Sequence, residues 1–292
     1  MAVEAERPTS VVRLDEGLVE YRLERRGPAT VVVLHGGHTR AGLAVGEEVL
    51  AEAGYTVLAP SRPGYGRTPL STGTTVSGFA DVVRSLCAHL GITEVVAVVG
   101  TSGGGPTAVT MAARHPDLVR RLILQSALGW LAWPDRRTRI GAHVAFAAHT
   151  EWAAWGAVRV LMRRAPETGL RLLLHGLTTL PVREVLARLG PRERAAMVEL
   201  FCGMRSGRGF LNDLRPTPDV TSGVRQPTLV IATRADGGVP FGHAQSLAAA
   251  IPHAELVESR ADSHLVWFGA DWPEIATTVR AFLADTARGG TR

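Results

Sequence analysis

The chain has 292 residues, 46% of them hydrophobic, with 32 basic and 27 acidic residues and a formal net charge of +5. This length and composition predict a soluble globular protein with a sizeable core and exclude a low-complexity chain. All the basic residues are arginine, and they are scattered at helical spacings without a basic run that interleaves aromatic residues. We therefore expect no nucleic-acid partner.

Three further features limit the class of protein. The N-terminal stretch MAVEAERPTS places charges and a proline where a secretory signal needs an apolar run, so we expect a cytoplasmic protein. The apolar segment 140–162 contains four ionisable side chains and is not expected to insert stably in a membrane. Cys87 and Cys202 are too few for a disulfide framework, and no metal-ligand spacing occurs, so we expect neither a metal nor a cofactor.

The first part of the chain alternates between short β-branched apolar runs and stretches with helical periodicity. The expected elements are a strand at 30–34, a helix at 41–53, a strand at 55–59, a helix at 74–90, a strand at 95–99, a helix at 106–114 and a strand at 122–125. Units of this size predict an α/β fold with a doubly wound, mostly parallel sheet covered on both faces.

The alternation stops after Ala127. The following segment has helical patterns without a convincing strand, and strand and helix signals then resume at 228–232, 242–250, 255–258 and 273–287. One α/β core interrupted by a helical cap accounts for this order. We predict that residues 1–127 and 223–292 form the core and that residues 128–222 form the cap.

The stretch Gly100-Thr101-Ser102-Gly103-Gly104 lies between a predicted strand and a predicted helix. A G-x-S-x-G sequence in that context is typical of a strained turn that lifts a serine hydroxyl clear of the sheet, so Ser102 is the candidate nucleophile. A phosphate-binding glycine turn is the alternative. The spacing fits neither of the common phosphate-binding patterns, and the chain contains no lysine.

A serine hydroxyl needs a base, and the base needs an acid that holds its tautomer. His264 lies in a loop after the last predicted strand and is the candidate base. Asp236 follows the predicted strand at 228–232 and is the candidate acid, with Asp262 as its rival. Two backbone N–H groups would complete a site for acyl transfer, those of Gly37 in the stretch His35-Gly36-Gly37-His38 and of Gly103. A simple tight turn is the other interpretation of that stretch.

Five blocks together resemble the capped α/β-hydrolase superfamily, in its serine-nucleophile, carboxylesterase-like branch, over residues 18–287: VVVLHGG, LAPSRPGYGRT, VVGTSGGGP, QPTLVIATRADGGVP and ADSHLVWF. The resemblance implies a nucleophile at Ser102, an acid at Asp236, a base at His264 and a cap inserted after the sixth strand. Three departures concern loop detail. Ser61 stands where the family often has aspartate, Ser263 replaces a usual glycine, and the turn after Gly37 lacks the common proline.

Members of the family that open epoxides or displace halide use aspartate as the nucleophile, so Ser102 favours acyl transfer. We expect a serine hydrolase that cleaves an ester, lactone or thioester of a small, partly apolar molecule through an acyl-enzyme. The same triad also serves carbon-carbon bond hydrolysis, perhydrolysis and lyase reactions in similar proteins. A non-catalytic ligand-binding or receptor-like protein is the alternative of another class.

The predicted cap is rich in aromatic residues and arginine. We expect an apolar pocket under it, lined by His38, Trp130, Trp133, Trp152 and Trp155, although the aromatic residues could instead pack against the core. Between Leu128 and Arg215 there are 14 arginines and 7 acidic residues, a balance that could favour an anionic substrate.

Overall fold

A computed structural model describes residues 6–134, 143, 146–147 and 149–285. Within these residues the strands form one eight-stranded sheet of order β1-β2-β4-β3-β5-β6-β7-β8. The strands are β1 (Ser10–Leu14), β2 (Gly17–Glu24), β3 (Thr30–Leu34), β4 (Thr56–Pro60), β5 (Ala97–Thr101), β6 (Leu122–Gln125), β7 (Thr228–Ala232) and β8 (Ala254–Glu258). β1 and β2 are antiparallel, and β3 to β8 run parallel to one another.

The α-helices of the core are α1 (Glu48–Glu52), α2 (Val76–His89), α3 (Gly105–Arg114), α9 (Gly242–Ala250) and α10 (Trp272–Ala284). Between β6 and β7 lie α4 (Glu151–Arg164), α5 (Pro166–Leu174), α6 (Val182–Arg188), α7 (Pro191–Gly203) and α8 (Gly209–Asp213). The doubly wound, mostly parallel sheet is confirmed, and the helices of the cap follow the sixth strand as the resemblance implied.

The parallel strands form the centre of the core. Every residue of β3, β6 and β7 is buried, because helices cover both faces of the sheet. Side chains alternate between the faces: Val32 and Leu124 pack with α2 and α3, whereas Val33 and Ile123 pack with α1 and α10. A separate apolar cluster joins the cap helices to the segment after β8.

The fold differs from the sequence predictions at several elements, and β5, for example, lies two residues later than the strand expected at 95–99. The hairpin β1–β2 was not predicted, and the helix expected at 41–53 is wrong in extent, since only Glu48–Glu52 is helical. The backbone before α1 forms hydrogen bonds with side chains from other parts of the chain. Ala41 accepts from Arg22 Nε and donates to Ser61 Oγ, and these contacts replace the bonds a helix would need. The last helix ends at Ala284, and residues 286–287 of its predicted extent lie outside the described residues.

The apolar segment 140–162 was expected not to insert stably in a membrane. Its described part includes α4 up to residue 162, while several of its earlier residues lie outside the described ranges. Of the helices that the structure describes, none has both the length and the apolar character needed to cross a bilayer.

Replacing a buried side chain at the centre of the sheet should destabilise the fold. Leu124 in β6 is fully buried, so Leu124→Ala should lower the free energy of unfolding by about 2–5 kcal/mol in urea titrations. Leu172→Ala is the matched control, because Leu172 on α5 is 62% exposed. Equal unfolding midpoints for the two variants would contradict this description of the core.

Candidate active site

Ser102 occupies the turn between β5 and α3. Its φ is +49°, a conformation that residues other than glycine adopt uncommonly and that often occurs at functional positions. The neighbouring glycines allow the turn to pack closely. A Cβ at Gly104 would lie 2.1 Å from the Leu34 carbonyl oxygen, and one at Gly100 would lie 2.5 Å from the Ala108 Cβ. The G-x-S-x-G sequence therefore forms the tight strand-to-helix turn that its context predicted.

His264 and Asp236 form a buried hydrogen-bonded pair. The distance between His264 Nδ1 and Asp236 Oδ2 is 2.8 Å, and the Asp236 side chain has no exposed surface. The other carboxylate oxygen, Oδ1, accepts from the backbone N–H groups of Gly238 at 2.8 Å and Val239 at 2.7 Å. Because the carboxylate accepts a hydrogen bond from the Nδ1–H group, the imidazole keeps Nε2 available as a base.

Asp262, the rival candidate for the acid, pairs with a residue other than His264. Asp262 Oδ1 accepts from Arg188 Nη1 at 2.6 Å, so this carboxylate pairs with cap helix α6. The structure thus brings Asp236, and not Asp262, to the candidate base.

One segment after β6 touches the loops that carry Ser102 and His264. Leu128 N–H donates to the Ser102 carbonyl at 2.9 Å, and Ser126 Oγ donates to the His264 carbonyl at 2.9 Å. The His264 N–H donates to the Leu177 carbonyl of the cap at 2.7 Å. The nucleophile turn and the base are therefore held on either side of residues 126–128, which sequence reasoning did not identify.

Over the described residues the Ser102 hydroxyl makes no hydrogen bond, either to His264 or to another group. Hydrogen bonds of catalytic groups are often long in unliganded enzymes and shorten when substrate binds. Ser102 is partly exposed at the carboxyl end of the sheet.

The candidate oxyanion donors lie beside the serine. A Cβ on Gly36 would be 3.2 Å from the Ser102 Cβ, which shows how closely the turn after β3 approaches the nucleophile. A Cβ on Gly103 would be 3.6 Å from the Gly37 nitrogen. The main chains of Gly37 and Gly103 therefore lie side by side next to Ser102, as a pair of N–H donors for an oxyanion requires.

An ion pair that the sequence analysis did not find lies against the same site. Arg62 Nη1 and Nη2 donate to Asp213 Oδ1 and Oδ2 at 2.6 and 2.8 Å, and Tyr65 Oη donates to Asp213 Oδ2 at 2.6 Å. Burial and the neighbouring carboxylate raise the pKa of Tyr65 well above its usual value, so its hydroxyl stays a donor. A Cβ on Gly103 would be 3.3 Å from Asp213 Oδ2.

His38 lies in an aromatic cluster beside this turn. Its ring centroid is 4.1 Å from that of Phe210, and Ser206 Oγ is 2.6 Å from Nδ1. Since Trp155 Nε1 donates to Ser206 Oγ at 2.7 Å, the serine proton is directed at His38 Nδ1. Burial, followed by the charge of Arg62, lowers the pKa of His38 to about 3, so the imidazole is neutral.

A cavity of about 580 Å³ borders the nucleophile turn at Gly103, but neither Ser102 nor His264 is among the residues that line it. Trp130 and Trp133 line it, as expected, together with Phe79 and Asp213. Trp133 Nε1 donates to the Gly238 carbonyl at 2.8 Å. A Cβ on Gly238 would lie 3.1 Å from His264 Cγ, so this cavity wall is continuous with the loop that contacts the base.

The other two tryptophans and His38, which were also expected to line this cavity, do not do so. Trp152 is 70% exposed on the outer face of α4, so the expectation that it faces the pocket is wrong. Trp155 is buried in the cap cluster and bonded to Ser206, which is the packing alternative. Their three-residue spacing on α4 did not indicate which of them faces the protein. In the ranges that the structure describes, no group of histidine, cysteine and acidic side chains could hold a metal ion.

Comparison with known proteins identifies the family of this chain. The family model for the alpha/beta hydrolase fold matches residues 29–155. The uncharacterized hydrolase YcgS of Bacillus subtilis (strain 168) is 30% identical over 283 residues, which cover 95% of this chain and 99% of that protein. The chain therefore belongs to the alpha/beta hydrolase fold family, and the resemblance noted from its motifs is confirmed.

Two further likenesses extend the comparison. The solved structure of an alpha/beta hydrolase fold protein from Nakamurella multipartita is 26% identical, with a TM-score of 0.81, and the match covers 94% of this chain and 99% of that one. A 2-hydroxymuconate semialdehyde hydrolase from Pseudomonas putida is 32% identical over 165 residues, or 54% of this chain and 52% of the relative. This chain is thus a member of a family of hydrolases.

The neutral state of His38 should make stability depend on pH. The pKa of His38 is lowered from 6.5 to about 3, so the unfolded chain binds a proton in this range that the folded protein does not. Stability should therefore fall as the pH drops from 6.5 towards 3. In His38→Asn, which tolerates the φ of +64°, the slope should be shallower by up to about 1.4 kcal/mol per pH unit.

Urea unfolding at several pH values between 4 and 6 measures this slope. His89→Asn, which removes an exposed histidine at the end of α2, is the matched control for the loss of one histidine. An unchanged slope in His38→Asn would show that His38 is not held neutral.

Proposed function

We propose that this protein is a serine hydrolase that cleaves an ester, lactone or thioester of a small, partly apolar molecule. The observation that carries the proposal is the buried Asp236–His264 hydrogen bond of 2.8 Å, at the same sheet edge as Ser102 in its positive-φ turn. A buried carboxylate that orients an imidazole beside a strained serine is the arrangement that activates a hydroxyl for attack. The family contributes the hydrolase chemistry.

The reaction proceeds in two halves. Ser102 Oγ attacks the substrate carbonyl while His264 Nε2 accepts the hydroxyl proton, and the Gly37 and Gly103 N–H groups bind the oxyanion. The tetrahedral intermediate expels the alcohol, enol or thiol, which takes the proton from His264. Water then attacks the acyl-enzyme with His264 again as base, and the acid leaves as Ser102 regains its proton.

Asp236 stabilises the imidazolium that forms in each half. Its Oδ1 is occupied by the N–H groups of Gly238 and Val239, which leaves Oδ2 for His264. The carboxylate therefore has one orientation, and so has the base that it holds.

The cavity supports a small, partly apolar substrate. Its volume of about 580 Å³ lies within the range of small-molecule sites, and Trp130 and Trp133 supply apolar walls. We take residues 128–222 as the cap that covers this cavity and excludes water from the acyl-enzyme. Asp213 and Arg62 are the charged groups closest to Gly103, and they neutralise each other.

Carbon-carbon bond hydrolysis is the second candidate. The observation that favours it is the half-length likeness to a 2-hydroxymuconate semialdehyde hydrolase. A panel of p-nitrophenyl esters, aryl thioesters and vinylogous diketones separates the two reactions. Turnover of the diketones alone would assign the site to carbon-carbon cleavage.

An activated serine should react with a fluorophosphonate. We expect rapid labelling of the wild-type protein at Ser102, and loss of labelling in both Ser102→Ala and His264→Ala, measured by intact mass and peptide mapping. Ser71→Ala, which removes an exposed serine, should label at the wild-type rate. A protein with a wild-type circular dichroism spectrum that never labels would support the ligand-binding alternative.

The role of Asp236 can be tested with an isosteric change. In Asp236→Asn the amide oxygen can still accept from Gly238 and Val239, which directs the amide NH₂ at His264 and forces the wrong imidazole tautomer. We expect kcat for a p-nitrophenyl ester to fall about 10,000-fold with the fold retained. Asp262→Asn is the control and should keep nearly full activity. Near-normal turnover in Asp236→Asn would remove this residue from the triad.

A further inference from the structure

We propose that Arg62 is a positioning residue of the oxyanion hole and that Asp213, from cap helix α8, holds it in place. The inference rests on the proposed function, since it concerns the Gly37 N–H as an oxyanion donor. It goes beyond that function by linking the seating of the cap to the geometry of the hole.

The peptide that joins Gly36 and Gly37 is held through its carbonyl oxygen. The Gly36 carbonyl oxygen accepts from Thr39 Oγ1 at 3.0 Å and from Arg62 Nη2 at 3.2 Å, and it lies 2.8 Å from His35 Nδ1. In a planar trans peptide the carbonyl and the following N–H point in opposite directions. Groups that hold the Gly36 oxygen therefore also set the direction of the Gly37 N–H.

Arg62 also orients the imidazole of His35, which is another donor to the Gly36 oxygen. Its backbone N–H donates to His35 Nε2 at 2.9 Å, so the proton of the neutral imidazole is on Nδ1 and is donated to the Gly36 carbonyl. Burial, together with the charge of Arg62, lowers the pKa of His35 well below its usual value and keeps the ring neutral. Arg62 Nε also donates to the His35 carbonyl at 2.9 Å. Three separate groups of Arg62 thus hold the end of β3.

Asp213 fixes the guanidinium that makes these contacts. The Arg62 side chain is 3% exposed and pairs with both oxygens of Asp213, whose side chain is 11% exposed. Removing Asp213 would leave a buried cation without its partner, which would pull the guanidinium towards water. Removing Arg62 would leave a carboxylate beside Gly103, where negative charge opposes an oxyanion. Each member of the pair therefore needs the other.

The predicted effect falls on the transition state. The Gly37 N–H meets full negative charge only when the substrate oxygen becomes an oxyanion, so a misdirected N–H lowers kcat while ground-state binding is kept. A structural role alone would instead lower the melting temperature and leave the kcat of the folded protein unchanged.

The experiment measures the rate of phosphonylation by a fluorophosphonate and the kcat and KM for a p-nitrophenyl ester. For Arg62→Lys and Asp213→Asn we expect both the rate and kcat to fall between about 10-fold and 100-fold with KM nearly constant, because a displacement of about 1 Å in a catalytic group costs that much. Thr39→Val removes another donor to the Gly36 carbonyl, so its phosphonylation rate and its kcat should also fall, by a smaller factor. Arg67→Gln is the control. Arg67 lies in the same turn as Arg62, but its side chain is 55% exposed and pairs with Glu20 on β2. The activity of this variant should therefore stay at the wild-type level.

The outcomes are distinct. Wild-type rates in folded Asp213→Asn and Thr39→Val, or a loss confined to KM, would overturn the inference, and these variants decide the matter even if Arg62→Lys does not fold. A failure of the proposed function would look different, since Ser102→Ala would then retain activity or the wild-type protein would not label.

Discussion

The candidate site depends on the parallel arrangement of β3 to β8, whose carboxyl ends meet at one edge of the sheet. Ser102 follows β5, Asp236 follows β7, His264 follows β8, and Gly37 follows β3. No two of these groups are close in sequence, so only the register of the strands brings them together. The segment after β6 completes the arrangement, because it bonds to the main chain of both Ser102 and His264. The central strands β3 to β7 are almost wholly buried and paired on both sides, so they form a rigid support for such a site.

Besides Asp236, the protein buries another carboxylate whose oxygens accept several hydrogen bonds, that of Glu20. Ser61, one of the departures from the family, supplies one of these bonds, because its hydroxyl donates to the carboxylate of Glu20 on β2. Glu20 Oε2 accepts from Ser61 Oγ at 2.7 Å and from the Arg67 N–H at 3.0 Å. Burial by itself would raise the pKa of Glu20, but these donors outweigh it and lower the pKa, so the group remains ionised. The turn that carries Arg62 therefore has a carboxylate anchor.

The sequence predicted those parts of the fold that depend on apolar runs and local motifs. The wholly buried strands β3, β6 and β7 were located to the residue and the equally buried β4 to within one residue, because continuous β-branched and aliphatic runs bounded by turns have few other interpretations. The hairpin β1–β2 was missed since β2 buries Glu20 and Arg22, whose partners lie far along the chain. The pairing of Arg62 with Asp213 spans 151 residues and has no local signal. The helix at 41–53 was over-extended because side-chain bonds from distant residues compete for its backbone groups.

The central claim is that Ser102, the imidazole of His264 and two backbone N–H groups converge on one carbonyl. A crystal structure of the protein after reaction with a fluorophosphonate tests it most directly. Our account predicts phosphorus bonded to Ser102 Oγ, the phosphoryl oxygen within about 3 Å of both the Gly37 and Gly103 nitrogens, and His264 Nε2 facing the ester oxygen. Phosphorus on another side chain, or a phosphoryl oxygen turned away from both nitrogens, would contradict it.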